Sequence, residues 1–199
     1  MKLYHCPNTR SFRPLWLLEE LGATYDLETL DLFGGAGRTE EYLAVNPNGT
    51  VPTLEDDGTI IYEAGAICLY LTDKHPNSCL APALNTPQRA HYYQWMFYVP
   101  GTMEIPLVNI FLHTKLLPEA KRRPAVVEDS KERFKNIAKI LDDNLADKPY
   151  MLGDNFSTAD IMVGSSLQWF PELMEGFDNL QNYSELILAR PTYQKAHDL

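Results

Sequence analysis

Residues Pro76 to Pro87 carry three prolines and not one charged side chain. A stretch of that kind joins packed units rather than entering one, because proline removes backbone donors and resists both helix and sheet. It divides the chain into residues 1–75, a linker at 76–86, and residues 87–199, and the two parts read in different periods. In the first part Lys2 to His5 is a short strand. Leu15, Leu18 and Leu21 then recur at helical spacing and stop at Gly22, where a C-cap glycine belongs. Tyr25 to Leu32 alternates as a second strand, a short helix lies around Thr39 to Val45, and Pro52–Glu55 and Thr59–Tyr62 form strands joined by the hairpin turn Asp56-Asp57-Gly58. Ala66, Ile67, Tyr70 and Leu71 mark one face of a closing helix, so the order is β-α-β-α-β-β-α.

The second part contains no convincing strand. Phe134, Ile137, Ala138, Leu141 and Leu145 form the stripe of an amphipathic helix, with Lys131, Glu132, Lys135 and Lys139 off it. Tyr92 to Val99 is apolar nearly all round and reads as a buried central helix, broken or kinked at Pro100-Gly101. Ser157 followed by Asp160, just before the apolar run Ile161 to Leu167, is a capping box, and gives that acid a structural role. The fold class is therefore α/β plus all-α: an N-terminal βαβαββα domain followed by an all-helical one.

Composition excludes several classes. With 45% apolar and 22% charged residues the chain has a core to bury, so disorder is out. A net charge of −10 opposes a phosphate backbone as partner, so no nucleic acid is expected. Of that charge −7 falls in residues 1–75, which hold 12 acids against 5 bases. No run approaches the ~20 apolar residues of a membrane span, so no membrane partner is expected either. Cys6, Cys68 and Cys79 are too few and too unevenly spaced for a disulfide framework or a zinc site, which fits a reducing cytoplasm and no metal.

Four blocks then occur in order: Arg10-Ser11-Phe12-Arg13-Pro14-Leu15-Trp16-Leu17-Leu18-Glu19-Glu20-Leu21-Gly22, Asn46-Pro47-Asn48-Gly49-Thr50-Val51-Pro52-Thr53-Leu54, Glu63-Ala64-Gly65-Ala66-Ile67, and Phe156-Ser157-Thr158-Ala159-Asp160. In this arrangement the chain resembles the glutathione S-transferase superfamily, and most of all its bacterial members. The resemblance implies a thioredoxin-like first domain, glutathione as co-substrate, a small hydrophobic electrophile as second substrate, and a homodimer working in detoxification. It implies a cis peptide before Pro52, which turns the Val51 backbone so that its N–H and C=O bond the cysteinyl part of glutathione like an added strand. It also implies that the helix start at Glu63-Ala64 holds the γ-glutamyl carboxylate on free N–H groups, with the acid meeting the ammonium.

Two positions depart from the family pattern. Ala64 stands where a Ser or Thr hydroxyl usually adds a bond, a loss of about 0.5–1.5 kcal/mol. Thr50 replaces a base that meets the glycyl carboxylate, and the only nearby base is Arg38. The second substrate is implied to lie against the helix carrying Tyr92, Tyr93, Trp95, Phe97 and Tyr98.

Conjugation needs the thiolate, and a thiol of pKa about 8.5 is only about 3% ionised at pH 7. Lowering that pKa by two units takes about 2.7 kcal/mol, which a hydroxyl donor of about 1.5–3 and a helix N-terminus of about 0.3–1 kcal/mol supply together. The segment His5-Cys6-Pro7-Asn8-Thr9-Arg10-Ser11 precedes the first helix. Thr9 stands where related bacterial sequences place a Ser before Arg, and ranks first as donor, with Ser11 second and Asn8 third through its amide. Capping of the helix is the competing use of either hydroxyl. Cys6 opens a Cys-Pro-Asn-Thr run that supports an alternative, thiol transfer through a mixed disulfide. A third possibility is a non-catalytic binding protein on the same fold.

Overall fold

A computed structural model describes residues 1–199, and the chain divides into two compact units, residues 1–81 with 189–199, and residues 82–188. In the first unit β1 (Lys2–His5), β2 (Asp26–Thr29), β3 (Thr53–Asp56) and β4 (Thr59–Tyr62) form one sheet in the order β2-β1-β3-β4. β1 runs parallel to β2 and antiparallel to β3, and β3 is antiparallel to β4. Helices α1 (Phe12–Leu21), α2 (Glu40–Val45) and α3 (Ala64–Lys74) complete the βαβαββα order read from the sequence.

α1 forms because its apolar positions can all be enclosed: Leu15, Trp16, Leu17 and Leu18 are fully buried, each contributing about 1.5–3 kcal/mol by leaving water. It ends at Gly22 with φ +58, whose N–H returns to Glu19 and Leu18 carbonyls. The linker prolines alone would leave all of residues 87–199 in the helical part. Instead the terminal helix α9 (Pro191–His197) packs on α1 in the first unit. Tyr193 meets Trp16 edge to face at 5.1 Å, and the Arg190 guanidinium grips the Glu20 carboxylate through Nε and Nη2, both at 2.7 Å.

The second unit is helical, with no strand beyond a single bridge between Tyr150 and Gly153. It contains α4 (Pro87–Tyr98), α5 (Glu104–Phe111), α6 (Pro124–Asn144), α7 (Thr158–Leu167) and α8 (Asp178–Leu188). Along α6 the stripe of Phe134, Ile137, Ala138 and Leu141 is buried, as its period requires. Every residue of α7 is buried. At its start Asp160 Oδ2 accepts from Ser157 N and Oγ, both at 2.8 Å, and Oδ1 accepts from Met151 N at 2.8 Å, so the capping box forms.

α4 differs from its expected form. Tyr92, Trp95 and Met96 are buried, but Tyr93 and Phe97 are exposed, Phe97 by 65%. Pro100 does not end the helix either. Its missing N–H removes one rung, and the chain continues through a π-helical turn, Val99–Met103, directly into α5. No helix is long and apolar enough to cross a membrane.

Candidate active site

Strand register brings three separate segments to one end of the first unit's sheet. Tyr4 pairs with Thr53, so the residues that follow β1 and those that precede β3 lie side by side. Thr53 also pairs with Tyr62, which puts the chain leaving β4 at the same end. The loop Cys6–Ser11, the dipeptide Val51-Pro52 and the α3 start at Glu63-Ala64 therefore converge, although the loop lies about 40–60 residues before the other two in sequence, a gap that antiparallel pairing closes.

The Val51–Pro52 peptide is cis. The loop before it is fixed by a buried network that sequence reading did not find. Asn46, fully buried, donates from Nδ2 to Thr50 O and Thr53 Oγ1, both at 2.9 Å, and its Oδ1 accepts from Asn48 N at 3.0 Å. Tyr42 donates its hydroxyl to the same Thr50 carbonyl at 2.6 Å. The Thr50 carbonyl is thus held twice from inside, while the Val51 N–H and C=O take part in none of the chain's hydrogen bonds. The signal that could have exposed Asn46 is the Asn-Pro-Asn-Gly run, since Asn side chains bond the backbone two residues on.

Arg38 reaches this loop through a backbone contact. A Cβ added at Gly49 would lie 2.3 Å from Gly37 O and 3.1 Å from Arg38 Nη1, so the two loops touch where neither can carry a side chain. Gly49 also has φ +63. Arg38 is exposed, with its guanidinium beside the residue that precedes Thr50.

At the α3 start Glu63 is the N-cap with φ +77 and ψ 114, outside both the helical and the extended regions. Strain of this kind, roughly 1–3 kcal/mol, is held where surrounding structure over-determines it, commonly at sites. The Glu63 side chain is exposed and makes no capping bond, and the first N–H groups of an α-helix have no partner inside it. The positive end of the α3 dipole is therefore open at the sheet end.

The four candidates for thiol activation separate clearly. Ser11 is fully buried, and its Oγ lies 2.8 Å from His5 Nδ1, 2.8 Å from Thr9 Oγ1 and 3.0 Å from Cys6 O, while accepting from Cys6 N at 3.0 Å. Enclosed on all sides, its hydroxyl does not reach a substrate directly, which counts against it as a direct donor. It makes no capping bond to α1 either. Asn8 is exposed at φ +59, a conformation Asn tolerates better than most residues.

Cys6 is only 4% exposed. A mixed disulfide needs the thiol at the surface, so its burial works against that route. Cys68 is fully buried, and burial pushes its thiol up to about 12. Thr9 is half-buried at the mouth of the cluster; its hydroxyl donates to Cys6 O at 2.7 Å and accepts from Ser11 N at 3.3 Å. Capping occupies a lone pair, whereas activation needs the proton, so the two uses expected to compete are compatible. The true competitor for the proton is the Cys6 carbonyl.

His5 is the residue the sequence reading passed over. It ends β1, is 2% exposed and sits directly behind Ser11. Burial lowers its pKa, so the imidazole is neutral at pH 7. A histidine that closes a four-residue strand gives no signal in sequence of what faces it.

Comparison with known proteins follows the same division of the chain. Residues 1–73 match the family model of the glutathione S-transferase N-terminal domain, and residues 124–186 that of the C-terminal domain. Glutathione S-transferase 4 of Zea mays is 31% identical over 190 residues, covering 92% of this chain and 85% of its own length. Glutathione S-transferase GstA of Escherichia coli is 27% identical over 205 residues, covering 98% and 96%. Among solved structures, a sphingomonad glutathione S-transferase complexed with glutathione is 30% identical, with a TM-score of 0.87 and coverage of 100% and 98%.

Proposed function

This chain belongs to the glutathione S-transferase superfamily and is a glutathione S-transferase, and on that premise we propose that glutathione lies along the sheet end with its sulfur at Thr9. The observation that carries this reading is the convergence of the Thr9 hydroxyl, the unpaired Val51 backbone and the open α3 N-terminus at one end of one sheet. An extended tripeptide adds to Val51 as a short strand, and its γ-glutamyl carboxylate meets the free N–H groups at Ala64 and Gly65. Glu63 takes the ammonium. Arg38 takes the glycyl carboxylate in place of the base that Thr50 does not supply.

The thiol proton leaves to solvent, and the Thr9 hydroxyl turns from Cys6 O to the sulfur. A bond to a charged acceptor is worth about 1.5–3 kcal/mol against about 0.5–1.5 for a neutral one, so the exchange favours the thiolate. The thiolate then attacks an electrophilic carbon, forming the S–C bond while the electron pair of the broken bond goes to the leaving group or, in an addition, to the adjacent atom. The second substrate is read as a small apolar electrophile, which membership of the family supports. The enzyme is read as a cytoplasmic homodimer active in detoxification, which its family membership and its three free cysteines support.

Titration calorimetry with glutathione tests the binding half of this reading. Binding at or below millimolar dissociation constant is expected, and no heat at millimolar glutathione would overturn it. A structure of the complex should place the sulfur within hydrogen-bond reach of Thr9 Oγ1.

A further inference from the structure

The contact between Thr9 Oγ1 and Ser11 Oγ, at 2.8 Å, needs one proton between the two oxygens. Each hydroxyl has one proton and two lone pairs. Ser11 fills one lone pair with Cys6 N and has His5 Nδ1 at 2.8 Å. If Nδ1 is bare, it takes the Ser11 proton at 2.8 Å in preference to Cys6 O at 3.0 Å, and only the Thr9 proton remains to bridge the two hydroxyls. Thr9 is then drawn inward and has nothing to give a sulfur. If Nδ1 carries the proton, it fills the second lone pair of Ser11, and the Ser11 proton bridges to Thr9 at 2.8 Å in preference to Cys6 O at 3.0 Å. Thr9 then accepts from both Ser11 Oγ and Ser11 N, and its own proton is free for Cys6 O or for a thiolate.

We propose that His5 is a positioning residue for glutathione activation: its Nδ1–H tautomer orients the Ser11 and Thr9 hydroxyls in series so that the Thr9 proton points out of the fold. No bond is made or broken in this relay; three hydrogen bonds acquire one direction. The chain of donors is His5 Nδ1 to Ser11 Oγ to Thr9 Oγ1 to sulfur, and all three side chains come from one seven-residue segment. The inference rests on the reading of Thr9 as the thiolate donor.

The ultraviolet absorbance of bound glutathione thiolate, followed against pH, gives the thiol pKa in each variant. His5→Phe keeps a ring but no donor, and should raise that pKa by about one unit, a tenfold loss of thiolate on the acid side, with glutathione affinity measured below the thiol pKa unchanged. His5→Asn places an amide N–H near the position of Nδ1 and should restore most of the shift. An unshifted pKa in His5→Phe, or an equal shift in His5→Asn, would overturn the proposal.

Thr9→Val separates this from failure of the reading beneath it. An unshifted pKa there removes Thr9 as donor, whereas a shift there without one in His5→Phe removes only His5. Nitrogen NMR of the unmodified enzyme with glutathione bound reads the tautomer without any substitution. A protonated Nδ1 is expected, and a bare Nδ1 would contradict the proposal.

Discussion

At Thr9 one proton faces two acceptors inside the fold, Cys6 O and Ser11 Oγ, and in the proposed complex a third outside it. The same kind of count applies at the two positions where the chain departs from its family's pattern. Ala64 supplies a backbone N–H but no hydroxyl. Ala64→Ser should therefore tighten glutathione binding by about 0.5–1.5 kcal/mol, roughly two- to thirteenfold in Kd; calorimetry on the two proteins side by side checks it. Arg38 should carry the charge that Thr50 lacks. Arg38→Ala is expected to raise KM for glutathione several-fold while kcat stays near wild type, since the contact holds substrate and transition state equally.

The participants at this scale were only partly legible. Thr9, Val51 and Glu63 stand in recognisable motifs, but the burial of Ser11 and the role of His5 depend on what β1 and the loop after it face, which no local pattern encodes. Tyr42 was invisible for the same reason, since it acts on a carbonyl eight residues away, whereas Asn46 had a local signal in the Asn-Pro-Asn-Gly run.

Among the elements, α7 shows how a short motif fixes a helix start. Burial pushes the Asp160 carboxyl up to about 6, even though Met151 N, Ser157 N, Ser157 Oγ and Tyr183 Oη all donate to it and pull the other way. A raised folded-state pKa means the folded protein holds this proton more tightly than the unfolded chain. Its contribution to stability is therefore full below about pH 4 and lost as pH rises through about 6, on the order of 3 kcal/mol in all. Chemical denaturation from pH 4 to 7 should show the stability difference between wild type and Asp160→Asn shrinking or reversing by about that amount, because the amide does not titrate. A constant difference across the range would remove the assignment.

Periodicity located every strand and helix of residues 1–75 and, beyond the linker, α4, α6 and α7, with shifted ends, but it marked none of α5, α8 and α9. At Pro100 it left a break and a kink both open, and the chain takes a π turn inside a continuous helical run instead of a break. Proline forbids one hydrogen bond, and whether the chain stops or re-registers depends on packing on either side. It failed again on α4, whose unbroken apolar composition hid which rings would stay in water.

For the whole molecule the main surprise is α9, which joins the first unit after the chain has completed the second. Its sequence is polar and short, and nothing in Pro191–His197 says which surface will take Tyr193 and Ala196. The attachment is specific. Burial works to raise the Glu20 pKa, but the Arg190 guanidinium and the Thr192 hydroxyl outweigh it and hold it below the usual range. Deleting residues 189–199 strips Tyr193 from Trp16 and leaves Glu20 without its cation, a loss of about 3 kcal/mol or more. Hydrogen exchange should then accelerate in α1 well before it does in α6, and uniform acceleration would argue against two separately cooperative units.

If a hydroxyl at the β1–α1 junction makes glutathione nucleophilic, kcat/KM for conjugation of a small activated aryl halide by Thr9→Val reads it without an intermediate step. Removing a hydrogen bond to a thiolate, worth about 1.5–3 kcal/mol, predicts a fall of roughly 10- to 100-fold at neutral pH. The loss should shrink as pH rises and the thiol ionises unaided. A kcat/KM unchanged from wild type would contradict the account.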